Sequence, residues 1–299
     1  MAAITLSLTP YSSTNAQFQA WGSGVDGTFI TCGWVRTSDT GQINWASVAF
    51  PASANTSQGY SIFKMNDSWQ STAPVFLKIE YGSGTGAALT PGFWITIGTG
   101  SDGSGNITGV LLTRLQVYPW NNVNTASNCY FSGNTDRYCA CLWPNSANSY
   151  EYILFSIERT KDSSGNTTST GLLFLTNGQT SSSGTKSQYI PFSGTIPSLY
   201  SAWNCNVPTV TNPSTGGSFK NTAALYTVKC WTPGESGPSS NIFLYQITDF
   251  TPGNTVLLSL FDASITGTYL PIVFNTVSFS PSTNRGLTSV NVSLAMRYE

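Results

Sequence analysis

The chain has 299 residues, enough for one large domain or two smaller ones with a buried core. Hydrophobic residues make up 40% of it, but Asp, Glu, Lys and Arg together only 8%, against about 25% in an ordinary soluble domain, and histidine is absent. The formal net charge is −1 and the ions are scattered singly, which excludes a surface that neutralises a run of phosphates. The missing histidine excludes Ser–His–Asp and Cys–His catalysis.

The polar residues are mostly Ser, Thr, Asn, Gln and Gly. Uncharged hydroxyl and amide groups lose less solvation free energy than ions when a neighbour covers them. This composition therefore favours a surface that packs permanently against other subunits, or one that contacts hydroxyl-rich ligands such as glycans.

No apolar stretch approaches the ~20 residues that span a bilayer, and the first ten residues lack the basic region and apolar core of a secretory signal. We therefore expect synthesis in a reducing cytoplasm, without membrane insertion. Free, buried thiols are favoured there over disulfides. The six cysteines are Cys32, Cys129, Cys139, Cys141, Cys205 and Cys230.

Short apolar or alternating runs recur between clusters of Gly, Asn, Ser and Pro. They predict an all-β protein of sandwich or jelly-roll type, with many short antiparallel strands and little or no helix. In chain order, the strands predicted in the first part are Phe29–Arg36, Trp45–Phe50, Tyr60–Met65, Val75–Tyr81, Phe93–Gly98, Gly109–Val117, Glu151–Thr160 and Gly171–Thr176. The alternation of Val75, Leu77 and Ile79 places these three on one face. The last two strands form the clearest hairpin.

The second part repeats the pattern. Its predicted strands are Ala223–Trp231, Ile242–Thr248, Thr255–Phe261, Tyr269–Phe279 and Leu287–Tyr298. We divide the chain into an N-terminal β-sandwich, 1–180, and a C-terminal β region, 181–299. One continuous domain fits equally well, because neither loop 180–185 nor loop 208–217 is long enough for a convincing linker.

Three motifs suggest ligand chemistry, and each has a simpler explanation. Gly98–Gly103 matches the dinucleotide-binding fingerprint, but another strand follows where that motif needs a helix, so a hairpin without cofactor is favoured. Cys139 and Cys141 lie on the same side of a strand, yet a zinc site needs about four ligands, so buried thiols are favoured. The similar turns Ser101–Thr108 and Lys161–Thr168 favour Asx-turn hydrogen bonding over calcium binding.

Catalysis is not expected. A glycosidase needs two carboxylates at a defined separation, and no pair among the thirteen acids stands out, although a polysaccharide depolymerase stays an alternative. The nine tryptophans are the feature most open to a binding interpretation. Trp120, Trp143 and Trp203 lie in loop-like segments and are the candidate contacts for a glycan or a partner protein, with packing as the favoured explanation even for them.

One resemblance supports a structural role. The segments Cys32–Arg36, Asp39–Trp45, Ala73–Gly84 and Phe93–Gly109 resemble structural proteins encoded by tailed bacteriophages, and Leu294–Glu299 is similar to the end of such proteins. The likeness covers mainly residues 30–110 and that tail. It implies a virion component, without active-site residues to carry over.

We therefore expect a virion structural protein that is not an enzyme and binds no cofactor, metal or nucleic acid. Its partners are expected to be copies of itself, with a trimer preferred, and other virion proteins. A tail, tail-tip or fibre location is preferred over capsid decoration, and a glycan-binding receptor module that contacts the host surface is a further alternative.

Overall fold

The fold is known from a computed structural model, which describes residues 1–9, 14–84, 91–117, 126–142, 153–162, 164–177, 186–191, 225–232, 235–245, 256–257, 268–271, 277–279 and 290–298. These residues form strands and one helix, in the order β1 (Ala2–Leu8), α1 (Asn15–Thr31), β2 (Val35–Arg36), β3 (Ser57–Lys64), β4 (Phe76–Ser83), β5 (Pro91–Ser101), β6 (Ile107–Val117), β7 (Ser127–Asn134), β8 (Arg137–Leu142), β9 (Ile153–Lys161), β10 (Thr167–Asn177), β11 (Lys186–Pro191), β12 (Leu225–Thr232), β13 (Glu235–Tyr245), β14 (Val256–Leu257), β15 (Thr268–Pro271), β16 (Val277–Phe279) and β17 (Val290–Arg297).

The strands form three antiparallel sheets. Sheet I is a meander in the order β2-β3-β4-β5-β6, and sheet II has the order β1-β7-β8-β9-β10-β11. Sheet III has the order β12-β13-β17-β15-β14, with β16 paired to β17. The predicted all-β sandwich is therefore confirmed. Since β11 pairs with β10, sheet II extends past residue 180, and the division into two domains stays a prediction.

The core lies between sheets I and II and includes one face of α1. Val75, Leu77 and Ile79 are all buried in it, which confirms the predicted alternation. Phe29 from α1 stacks between the two sheets, with ring centroids 4.6 Å from Phe63 of sheet I and 3.7 Å from Tyr138 of sheet II. The helix is therefore part of the sandwich core.

Strand β9 is buried on both faces. Ile153, Phe155 and Ile157 belong to the core between sheets I and II. On the opposite face Ser156 and Glu158 are also buried, and β13 of sheet III lies in contact with β9. The C-terminal strand reaches sheet II as well, where Ser132 Oγ donates a 2.6 Å hydrogen bond to the carbonyl of Arg297. At β9, sheet II is thus covered on both sides.

Two predictions near the N-terminus were wrong. The predicted strand Phe29–Arg36 is the end of α1 followed by the two-residue β2, and Trp45–Phe50 forms turns and extended chain without a strand. Helix α1 itself was missed because it contains three glycines and its Phe, Val and Ile residues favour strands in isolation. Tertiary packing stabilises it instead.

Candidate functional site

The three tryptophans predicted as contacts, Trp120, Trp143 and Trp203, lie outside the described residues. The tryptophan side chains that are described are packed against the protein. Trp21, Trp34 and Trp94 are each 2% exposed. Trp34 Nε1 also donates to the carbonyl of Asn134 at 3.1 Å. For these residues, packing rather than an open stacking platform is what the fold provides.

Asp26 of α1 is the centre of a buried polar cluster that the sequence did not reveal. Its Oδ2 accepts hydrogen bonds from Trp45 Nε1 at 2.8 Å and from Ser61 Oγ at 2.6 Å, and its Oδ1 accepts one from Tyr81 OH at 2.5 Å. Arg36 Nη2 lies 4.0 Å from the same carboxylate. Burial and the neighbouring Asp26 charge raise the pKa of Tyr81 well above its ordinary value, so its hydroxyl stays a donor.

This cluster joins α1 to sheet I, since Ser61 belongs to β3 and Tyr81 to β4. Three protein donors occupy the carboxylate oxygens, and Asp26 is only 6% exposed. Donors thus satisfy both oxygens of this buried carboxylate, which offsets the free-energy cost of removing it from water. The arrangement suits an anchor that joins the helix to the sheet.

A second buried cluster connects sheets I and II. Arg159 of β9 has a fully buried side chain and donates through Nε to Asp67 Oδ2 at 2.7 Å. Its remaining N–H groups reach the carbonyls of Ser169 and Ala73 at 2.8 and 2.7 Å. Asp67 and Ala73 lie in the segment between β3 and β4, so the guanidinium closes one end of the sandwich.

The two similar turns form the same hydrogen bonds, as predicted. Asp102 Oδ1 accepts from the backbone N–H groups of Ser104 and Asn106 at 2.8 and 3.1 Å. Asp162 Oδ1 does so with Ser164 and Asn166 at 2.9 and 2.8 Å. The Asn106 side-chain amide, which donates to Asp102 Oδ2 at 2.7 Å, lowers the pKa of Asp102 most, and the Asn166 backbone N–H lowers that of Asp162 most; with the other turn bonds they hold both pKa values below the ordinary value. Within the described part of the chain, no group of three or more Cys, Asp or Glu side chains is placed to hold a metal ion.

The cysteines that the structure describes are free and buried, which confirms the prediction for those four, Cys32, Cys129, Cys139 and Cys141. Burial raises the pKa of the Cys32 thiol to about 12 and that of Cys139 and Cys141 well above the ordinary value. Such thiols remain protonated and pack as small hydrophobic groups.

One cavity between sheets I and II, among the described residues, is too small for a substrate. A cavity of about 10 Å³ lies there, lined by Val25, Phe29, Ile79, Phe93 and other apolar side chains. That volume corresponds to about one water-sized probe, against the hundreds of Å³ of a typical ligand pocket.

Among the described helical residues, none form a segment long and apolar enough to cross a membrane.

Most of the charged side chains that the structure describes are engaged by partners of the same chain. Among charged residues with described side chains, the exposed ones are Asp102, Arg114 and Asp162. Both aspartates accept hydrogen bonds within their own turns, and Arg114 Nε donates to Glu80 Oε2 at 2.7 Å. Apart from the half-buried Lys64 and Lys78, for which no ion pair is described, the described surface therefore presents few unengaged ions.

Comparison of the chain with protein-family models, with curated proteins and with solved structures finds no match.

Proposed function

We propose that this protein is a structural subunit of a bacteriophage virion and that it assembles as a homo-oligomer. The observation that carries the proposal is the scarcity of free ions on the described surface, where the exposed charged groups are held by partners of the same chain. Covering such a surface removes few ions from water, so the desolvation penalty of permanent association is small.

The internal chemistry supports the same role. Asp26 joins α1 to sheet I, and Arg159 joins sheet II to the segment between β3 and β4. These buried polar clusters fix the relative position of the layers and make the subunit a rigid building block. The resemblance of residues 30–110 to tailed-phage structural proteins supports the virion as the assembly.

We prefer a trimer by analogy with virion spikes, fibres and decoration proteins, which commonly sit on three-fold or six-fold positions. A tail, tail-tip or fibre position is our first assignment, with capsid decoration second. Antibody labelling of intact particles distinguishes these positions.

Light scattering coupled to size-exclusion chromatography tests the assembly. A trimer of the 32.0 kDa chain has a mass of 3 × 32.0 = 96 kDa. Because the proposed interface contains few ions, the mass should be the same in about 0.15 M and 1 M salt, although salt screens ionic contacts strongly over that range. A mass of 32.0 kDa at tens of micromolar protein would refute the assembly.

The virion assignment has its own test. Particles purified from cells that carry the gene should retain this chain after washing in about 1 M salt, as detected by mass spectrometry of the particle proteins. Recovery of the chain only in the particle-free fraction would exclude a structural role in the virion.

A further inference from the structure

The outer face of sheet I differs from the rest of the described surface because it carries unpaired cations. In the pairing of β3 with β4, Tyr60 lies opposite Glu80 and Lys64 lies opposite Phe76, so each pair shares one side of the sheet. Because side chains alternate along β4, Lys78 lies on the same side as Phe76 and Glu80. Arg114 of β6 reaches this side too, since its guanidinium contacts Glu80. We call the surface formed by Lys64, Lys78 and Arg114 the cationic face.

Arg114 is held in a fixed orientation on this face. Its guanidinium carbon lies 4.3 Å above the ring of Trp94, while Nε and Nη2 donate to the two oxygens of Glu80 at 2.7 and 3.3 Å. The side chain is nonetheless 49% exposed. A guanidinium fixed along one edge keeps its remaining N–H groups available to an acceptor in solvent.

The two lysines complete the face without a counter-ion. Lys78 Nζ lies 4.4 Å from the centre of the Tyr60 ring. Within the described part of the chain, neither Lys64 nor Lys78 has a carboxylate within 4.0 Å. Among the residues that the structure describes, three cations thus share the face with one acid, Glu80, which Arg114 already engages.

The acids that border this face are occupied elsewhere. Near Tyr60, Asp39 accepts hydrogen bonds from Ser101 Oγ and the Gly105 N–H at 2.9 and 3.2 Å. Asp102 accepts the N–H groups of its own turn. Neither forms an ion pair with Lys64 or Lys78, so the cationic face keeps its excess of positive charge.

We propose that the cationic face binds an acidic polysaccharide. Carboxylates of the polymer would pair with Lys64, Lys78 and Arg114. Its hydroxyls would form hydrogen bonds with the neutral side chains of Thr96 and Gln116. Strand register places these two on the same side of the sheet, Thr96 opposite Lys78 and Gln116 opposite Trp94.

A glycan fits this face better than a protein does. Protein interfaces depend on a central apolar or aromatic anchor in a desolvated patch. Here Trp94 is only 2% exposed beneath Arg114, and Tyr60 and Phe76 on the same side are half-buried, so no described aromatic side chain stands fully exposed as an anchor. If the chain assembles as proposed above, this is also the described surface that costs most to cover, which leaves it facing outward.

The test uses the full-length protein and oligogalacturonate, a linear chain of sugar acids, as probe in isothermal titration calorimetry. Dextran is the neutral counterpart, and polyglutamate the acidic polypeptide. Lys64→Gln/Lys78→Gln removes two positive charges from the face. The matched control Gln17→Glu/Ser23→Glu lowers the net charge by the same two units at exposed positions of α1. Arg114→Lys keeps the positive charge but removes the planar guanidinium that Trp94 and Glu80 hold in one orientation.

We expect binding of oligogalacturonate and not of dextran, weakened by salt. The lysine double variant should bind about fivefold or more weakly, since two ionic contacts are lost, while the α1 control stays within about twofold of the wild type. Equal weakening by both double variants, an unaffected lysine variant, equal affinity for polyglutamate, or no binding would each overturn the proposal. Calorimetry measures binding whatever the oligomeric state of the protein, so this result does not depend on the outcome of the light-scattering test.

Discussion

Alanine substitutions at two glycines of the same helix should change stability in opposite directions. Gly22 and Gly27 both lie within α1, where propensity alone predicts that alanine stabilises by up to about 1 kcal/mol. At Gly27 a Cβ would meet no atom within 4 Å, and the position is exposed. Gly27→Ala should therefore stabilise the protein by about 0.5–1 kcal/mol.

Gly22 faces the indole of Trp45. A Cβ there would lie 1.8 Å from the nearest ring carbon, whereas ordinary contact begins at 3.4 Å, so the ring would have to move by 3.4 − 1.8 = 1.6 Å. Phe18 and Tyr81 pack around the same ring at 5.7 and 4.9 Å between centroids, and Trp45 Nε1 is bonded to Asp26. The ring cannot move without losing these contacts.

The expected cost follows from those losses. A hydrogen bond to a charged group contributes about 1.5–3 kcal/mol, and forced repacking of a core costs about 1–3 kcal/mol. The gain of about 1 kcal/mol in helix propensity offsets part of this. Gly22→Ala should therefore destabilise the protein by about 1.5–5 kcal/mol.

Urea unfolding followed by circular dichroism measures both variants, at one protein concentration because assembly links stability to concentration. The decisive quantity is the difference in unfolding free energy between the two variants. If both alanines stabilise the protein, Trp45 does not pack against the helix backbone and the described core around Asp26 is incorrect.

Three further predictions concern buried and exposed charges and thiols. Asp67→Ala should lower the free energy of unfolding by about 3–5 kcal/mol, because it leaves the Arg159 guanidinium buried without its anion. Glu80→Ala breaks the exposed pair with Arg114, which has the same 2.7 Å distance, and should lower it by at most about 1 kcal/mol; similar urea midpoints for the two variants would contradict this. Four of the six thiols are buried, so at most 6 − 4 = 2 thiols of the native protein should react with Ellman's reagent at pH 8, and all six should react in urea. Rapid reaction of three or more thiols in the native protein would show that the core opens. The hydrogen bonds of the Asn166 N–H and its neighbours lower the folded pKa of Asp162, so its stabilisation of the hairpin tip is complete above the ordinary value of 3.8 and is lost as the pH falls through the folded pKa. The protection of the tip amides from exchange, relative to the intrinsic rate at each pH, should therefore be lower at about pH 2 than at neutral pH, and unchanged protection would exclude a role for the carboxylate.

Strands with alternating side chains could be predicted from the sequence. Val75–Tyr81 corresponds to β4, and Glu151–Thr160 with Gly171–Thr176 corresponds to the hairpin of β9 and β10. A half-buried strand repeats its pattern every two residues, and a tight turn restricts which residues it accepts, so both leave local signals. The turn chemistry around Asp102 was predictable for the same reason.

The candidate site could not be predicted in this way. The cationic face depends on strand register, which brings Lys64 and Lys78 together with Arg114 although they are far apart in the chain. The sequence indicated tryptophans in loops instead, and those residues lie outside the described ones. Residue type alone does not show which ions find a partner in space.

What the sequence determined by itself is the all-β class, the neutral character of the surface and most of the strands, because composition and two-residue alternation act locally. Only the tertiary structure decided that residues 15–31 form a helix. Its glycines oppose that choice locally, but Gly22 admits the ring of Trp45, Phe29 fills the space between two sheets, and Asp26 finds three donors on other segments. The free energy of burying those groups outweighs the local preference for strand or coil.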